Sequence, residues 1–338
     1  MLSTPLCDDW GFRLPIWNAG MGGGLAGAEL AAAVSEAGGF GVLGMGGLPE
    51  PAIRAQIART RQLTDRPFGV NIIMPLVTDQ EQIRCVLDER VAALVLFWGD
   101  PAPWVEPARA AGTKLVVQAG SVAEARAAAG AGVDAVMIQG VEAGGHVRSS
   151  TSLSVLLPSV VDAVRPLPVI AAGGIADGRG VAAALALGAQ SVSLGTRFLC
   201  SAESTAAYKD EVVAARAEDT VLTTLFDVGW PDAQHRVLRN RAMSEWVADG
   251  SPPTGERPGE GETVGTMPVA GQAVELPRYA VFPPLEGFAG DLGLTALYCG
   301  ESCALVDDVR PAAEIVARLA EDAVAAGGGA ATAGSASL

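Results

Sequence analysis

The sequence predicts an α/β protein, a (β/α)8 TIM barrel with a C-terminal lid-like insertion, and three observations predict it. Eight short apolar runs alternate with helix-like stretches over residues 1–200. The runs are near-continuous in Val, Ile, Leu and Ala, as parallel strands buried on both faces require. A helical pattern returns at Arg310–Ala325 after a long irregular excursion, in position to close the helical ring.

Leu14–Ala19 is the first strand and runs into the glycine-rich Asn18–Gly24. Leu25–Ala37 reads as an alanine-rich helix stopped by Gly38-Gly39. Strand and helix then repeat as Phe40–Leu43 with Pro51–Gln62, Phe68–Met74 with Asp79–Arg90, and Ala93–Trp98 with Trp104–Ala111. The series continues as Lys114–Gln118 with Val122–Gly130, Val133–Ile138 with Ser152–Val164, and Pro168–Ala172 with Asp177–Leu187. Ser191–Leu194 is the eighth strand. An open doubly wound sheet is the structural alternative, but Met21–Gly27 lacks the Gly-x-Gly-x-x-Gly spacing of a dinucleotide fingerprint.

This divides the chain into a barrel core at 1–200, an insertion or lid at 201–309, a closing helix at 310–325 and a disordered tail at 326–338. Within the insertion, Glu203–Ala217 and Gln234–Val247 read as helices. Gly250–Gly271 is rich in Pro, Gly and Glu without periodicity, as a mobile excursion would be.

Composition narrows the function classes. Hydrophobic residues at 49% with 18% charged describe a globular chain with a large core. A net charge of −15 without a basic patch argues against nucleic acid. Met1–Pro15 has neither the basic nor the apolar region of a signal peptide, and no apolar run reaches the roughly 18 residues of a membrane helix. Five cysteines, Cys7, Cys85, Cys200, Cys299 and Cys303, form no framework, so a reducing cytoplasmic setting is expected. Cys299 and Cys303 are close enough in sequence to approach each other on a helix, but there is no zinc signature and no metal site is expected.

In this fold the chemistry sits at the C-terminal ends of the strands. Those positions hold Asn18–Met21, Asn71, Gln118, Gln139–His146, Gly173-Gly174 and Gly195-Thr196. The loops after the seventh and eighth strands are the usual phosphate site, and their glycines expose N–H groups while Thr196 adds a hydroxyl. No Walker lysine is present, which favours a monophosphate cofactor over a nucleoside triphosphate. Amides at Asn71, Gln118 and Gln139 both donate and accept, as the edge of a heteroaromatic ring requires. His146, one of two histidines, follows Gly144-Gly145 at the mouth of a loop, where an imidazole can take a proton near neutral pH. His235 falls in the helical stretch with charged neighbours and is expected to be solvated or structural. Met21, Met74 and Tyr298 are candidates for a substrate wall, or ordinary packing.

From about Pro15 to Ala325 the chain resembles the nitronate monooxygenases, FMN-dependent (β/α)8 barrels once called 2-nitropropane dioxygenases. The resemblance is carried by Asn18-Ala19-Gly20-Met21, Phe68-Gly69-Val70-Asn71, Gln139–His146, Ala171-Ala172-Gly173-Gly174-Ile175 and Gly195-Thr196-Arg197-Phe198. Asp219-Thr220-Val221, Arg239-Asn240-Arg241 and Leu297–Val306 extend it. It implies that Gly173, Gly174, Gly195 and Thr196 hold the FMN phosphate. It also implies that Asn18, Ala19, Gly20, Met21, Asn71, Gln118 and Gln139 line the ribityl chain and ring, that Ala143, Gly144 and Gly145 pass beside the ring, and that His146 is the catalytic base. A nitronate or nitroalkane and O2 would then give a carbonyl compound and nitrite, and a homodimer is compatible with the resemblance. The family usually has proline at Gly20, a change expected to be tolerated at a main-chain contact. It often has glutamine at Glu301, a change expected to alter the substrate side.

Two other readings compete. The NAD(P)H-dependent enoyl-acyl carrier protein reductases of the FMN barrel type share Glu-Ala-Gly-Gly-His, and a flavin-binding module without turnover would share the cradle. The IMP dehydrogenase type needs a cysteine in the loop after the sixth strand, and none of the five lies there.

Overall fold

The computed structural model describes residues 2–269 and 272–333. Its first element is one that the apolar pattern does not announce, helix α1 (Pro5–Trp10). Strand and helix then alternate as β1 (Ile16–Asn18), α2 (Ala28–Glu36), β2 (Gly41–Gly44), α3 (Glu50–Leu63), β3 (Phe68–Ile73), α4 (Glu81–Asp88), β4 (Ala93–Phe97) and α5 (Ala102–Ala111). They continue as β5 (Lys114–Ala119), α6 (Val122–Ala131), β6 (Ala135–Gln139), the two-residue β7 (Gly145–His146), α7 (Leu153–Val164), β8 (Val169–Ala172), α8 (Gly178–Ala186) and β9 (Ser191–Leu194). The larger strands pair in parallel in the order β1-β9-β8-β6-β5-β4-β3-β2. A parallel bridge from Trp17 to Phe40 joins the two ends, so the eight-stranded sheet closes into the barrel expected. Local signals set the helices. Ser121 caps α6 by accepting from the Glu124 amide at 3.2 Å, and Gly132 ends it in the left-handed conformation.

Alternate strand residues fill the lumen, among them Val42, Val95, Val116, Met137 and Ile170, with Trp17 stacked on Phe40 at 4.2 Å. Leu6, Cys7 and Phe12 from the N-terminal segment join this cluster. Hydrogen bonds from Thr4 and Leu6 to Gln190 tie that segment to the residue preceding β9, so α1 plugs the end of the barrel where the strands begin.

After β9 come α9 (Thr196–Leu199), α10 (Lys209–Ala214), β10 (Thr220–Thr223), β11 (His235–Leu238), α11 (Arg241–Ala248), β12 (Thr263–Val269), β13 (Gln272–Pro277) and β14 (Ala289–Gly290). Here several expectations are corrected. The helix expected over Gln234–Val247 is a strand followed by a helix. β11 pairs antiparallel with β10 and β7, and Asn240 then starts α11 by accepting from the Met243 amide at 3.3 Å. The helix expected over Glu203–Ala217 is confined to Lys209–Ala214. Of the irregular Gly250–Gly271, Thr263–Val269 is a strand paired with β13, because antiparallel pairing can organise a segment with no apolar period of its own; Ala270 and Gly271 lie outside the described residues. Helix α12 (Ala312–Ala333) packs against α8 and α2, in the closing position. It runs on past Ala325, so 326–333 are helical rather than a disordered tail, and 334–338 lie outside the described residues.

Candidate active site

A pocket opens at the C-terminal ends of the strands, with about 1140 Å³ of empty space including its solvent-filled mouth. Ala19, Gly20, Met21, Asn71, Gln118, Gln139, Ala143, Gly144, Gly145, His146, Gly173, Gly174, Gly195 and Thr196 all line it. Asn18 does not. Its carboxamide accepts from the Val42 amide at 2.9 Å and donates to the Val42 carbonyl at 2.7 Å, joining β1 to β2 beneath the pocket.

The amides differ in what they have left to offer. Asn71 donates to the Val95 carbonyl at 3.2 Å, so its NH2 group serves the barrel wall. Gln139 donates to the His146 carbonyl at 3.0 Å and accepts from the Arg148 amide, which makes it the brace of the histidine loop. Among the described residues only Gln118 of the three has a carboxamide with no protein partner. Gly144 answers to a different neighbour from the one its sequence suggests. A Cβ there would lie 2.4 Å from the Cys299 and Gly300 main chain, so the glycine admits another loop of the protein.

His146 is held by main-chain pairing. β7 sits on β11 with His146 opposite His235 and Gly145 opposite Arg236, and the Val147 amide donates to the Gln234 carbonyl at 2.9 Å. The imidazole stacks on Trp230, with centroids 4.1 Å apart and planes 20° apart, and Tyr298 and Trp98 flank it at 5.5 and 6.4 Å. Trp98 holds a left-handed backbone (φ 66°), a conformation that costs a bulky residue energy and clusters at functional sites. The Nε2 atom of His146 is buried without a hydrogen-bond partner among the described residues. Burial first and the neighbouring His235 second push this imidazole down to about 3, so it is neutral near pH 7.

Of the two roles expected for His235, the solvated one and its helix are overturned, and the structural one is what the ring has. It is fully buried on β11, donates from Nδ1 to the Ala233 carbonyl at 2.8 Å and accepts at Nε2 from the Phe226 amide at 3.3 Å. Both nitrogens are used, and burial pushes the ring down to about 4. Glu301, expected on the substrate side, instead pairs with Arg236 at 3.0 Å and does not line the pocket. Arg236 also binds the Val141 carbonyl and the Thr220 hydroxyl, locking the insertion to the loop after β6. Tyr298 and Met21 reach the pocket wall, whereas Met74 does not. The described residues of 250–271 supply none of the lining; the insertion contributes Val281–Pro283 instead. All five cysteines are buried and free, and Cys299 lies on the pocket wall.

One residue that the strand-end pattern misses is Ser193. It is 1% exposed, lines the pocket, and its hydroxyl has no partner among the described residues. Its place one residue before the end of a strand, between apolar neighbours, hides it from a search of loops. Near it, the N–H groups of Gly173, Gly174, Gly195 and Thr196 make no main-chain hydrogen bond among the described residues, and the Thr196 hydroxyl accepts from the Gly300 amide at 3.0 Å, keeping its own proton to donate. Free donors at one end, an unpaired hydroxyl, and Met137 and Ala172 on the floor fit a phosphorylated, ring-bearing cofactor.

Comparison with known proteins agrees with this fold. A Mycobacterium tuberculosis protein named (3aS,4S,5R,7aS)-5-hydroxy-7a-methyl-1-oxo-octahydro-1H-indene-4-carboxyl-CoA dehydrogenase is 38% identical over 248 residues, 72% of this chain and 68% of that one. The structure of FabK from Thermotoga maritima superposes with a TM-score of 0.80 at 30% identity, covering 98% of this chain and 99% of that one. Nitroalkane oxidase from Streptomyces ansochromogenes superposes with a TM-score of 0.76 at 30% identity, covering 96% and 99%. The family model described as nitronate monooxygenase matches residues 4–82 and 74–322, two overlapping stretches that span nearly the whole chain. By that match, over this barrel and this pocket, the chain belongs to the nitronate monooxygenase family, a family of oxidoreductases.

Proposed function

We propose that the protein is an FMN-dependent monooxygenase that oxidises alkyl nitronates with O2 to carbonyl compounds and nitrite. The observation that carries this reading is the partnerless, neutral imidazole of His146 in the same pocket as the free amides of Gly173, Gly174, Gly195 and Thr196. Those amides, with the Thr196 and Ser193 hydroxyls and Gln118, would hold FMN, which when bound supplies the electron transfer between substrate and O2. Gln139 orients the histidine loop, and the Trp230 ring fixes the plane of the imidazole.

The state of His146 favours the anionic nitronate over the neutral nitroalkane. An imidazole pushed down to about 3 is a weak base for a carbon acid. Its neutral N–H is suited to hydrogen-bond an oxygen of an anion already formed. The stack of Trp98 and Trp230 about this ring keeps water from the reacting end. The five free thiols fit a reducing, cytoplasmic setting.

The test is nitrite release from ethane- to butane-1-nitronate by FMN-loaded protein in air, without NAD(P)H. We expect release that depends on FMN and falls by a factor on the order of 10²–10³ in His146→Ala, the loss of one hydrogen-bond donor to the anion, with FMN still bound. No release, with NAD(P)H bleaching the flavin, would replace this reading with an enoyl reductase, as the likeness to FabK allows. Neither activity would leave a flavin-binding module.

A further inference from the structure

Resting on that reading, we infer that the site selects nitronates whose remote end is an uncharged alkyl chain and discriminates against substrates with a second anionic group. In a chain that is 18% charged, none of the described residues lining the pocket is Asp, Glu, Lys or Arg. The charged side chains nearest the lining segments are each engaged elsewhere. Glu142, next to Ala143, accepts from the Leu153 amide at 3.0 Å, at the start of α7. Arg148 is paired with Glu124 and lies over the Trp98 ring at 5.0 Å. Arg197, next to Thr196, is bound by Asp308 at 3.1 Å, and Arg236 is held by Glu301 and Val141.

What the pocket offers instead is apolar. Ile73 and Phe97 at the ends of β3 and β4, and Val281 from the insertion, form one buried cluster with Trp230, the ring on which His146 stacks. Leu76 and Phe282 pack against that cluster, and both line the pocket while only half-buried. Their apolar surface is therefore available to a ligand extending from the imidazole. The reacting nitronate has His146 as a hydrogen-bond partner, but a carboxylate at the other end would face the side chains of Leu76 and Phe282, which offer it no donor. Burying that second charge unpaired is costly, whereas each methylene taken from water gains about fourfold in binding.

Propionate 3-nitronate and butane-1-nitronate make a near-isosteric pair that differs in the terminal carboxylate. For the FMN-loaded protein we expect kcat/KM to rise about threefold to fourfold per methylene from ethane- to butane-1-nitronate. Butane-1-nitronate should exceed propionate 3-nitronate at least tenfold. A flat chain-length series, or propionate 3-nitronate equal or better, would overturn the inference. Anaerobic titration calorimetry with the same pair separates this outcome from failure of the nitronate reading, since it needs no turnover. If neither compound is oxidised, tighter binding of butane-1-nitronate still supports the apolar site, while equal or weaker binding, or no binding of either, overturns it.

Discussion

Two histidines whose rings lie 5.3 Å apart take opposite parts in the site. The place of His146 on the pocket wall was legible because it follows a buried strand and a glycine pair, at the end of the barrel where the strands finish. His235 was not, because its partners Ala233 and Phe226 are set by a strand with no clear apolar period. Its burial makes a pH prediction. The folded ring, pushed down from 6.5 to about 4, refuses a proton that the unfolded chain accepts between those values. Stability is therefore complete above pH 6.5 and is lost as pH falls toward 4. At pH 5 the loss from His235 is about 2 kcal/mol, and His146 adds in the same direction. Urea midpoints at pH 7.5 and pH 5 measure it, and an unchanged midpoint would show that these rings are not excluded from protonation. Ser193 makes a separate prediction. Its buried hydroxyl is unpaired in the protein alone, so Ser193→Ala should leave the apoprotein's melting temperature unchanged or raised. The same change should weaken FMN binding about threefold to tenfold, read from the fluorescence of released flavin. Equal FMN affinity would remove Ser193 from the cofactor site. Gly20 carries a departure from the family pattern with a structural counterpart: a Cβ there would lie 2.2 Å from Asn71 Cβ, so position 20 admits no side chain unless the main chain shifts.

At the level of elements, the loop after β6 is held from the insertion. β7 pairs with β11, Arg236 reaches the Val141 carbonyl, and the Cys299–Gly300 main chain packs against Gly144. Gly144→Ala must displace backbone atoms, which have no alternative rotamer, and should cost on the order of 1–3 kcal/mol. It should also move the Cys299–Ser302 wall of the pocket. Chemical denaturation checks the first effect, and a wild-type midpoint would mean that the loops part easily. The barrel strands were legible as elements because burial on both faces leaves continuous apolar runs, so β1–β6, β8 and β9 fall within a residue or two of expectation. β11 and β12 were not legible: β11 is buried throughout but carries His235 and Arg236, and β12 is half-covered and runs through Gly265 and Pro268. α1 escaped for a related reason: six residues hold too little pattern to show that Leu6 and Cys7 face a barrel lumen.

For the molecule as a whole, the barrel supplies most of the pocket lining, and the insertion adds Val281–Pro283, Tyr298, Cys299 and Ser302. No helix among the described residues is long and apolar enough to cross a membrane. Substrate choice belongs to this scale, because Ile73 and Phe97 come from the barrel while Val281–Pro283 come from the insertion. Legible from the sequence were the barrel, the rim at which the pocket opens, and the glycines, amides and histidine that line it. These follow from short-range periodicity and from the rule that strand ends carry the site. The tertiary structure alone set Asn18 and Gln139 as braces of the framework and turned Glu301 away; among the described residues it left Ser193 unpaired and the pocket lining without a charged side chain. Each of those depends on which side chains meet across distant segments, and the direction of a carboxylate or a hydroxyl is set by the neighbour it finds there rather than by its place in the chain.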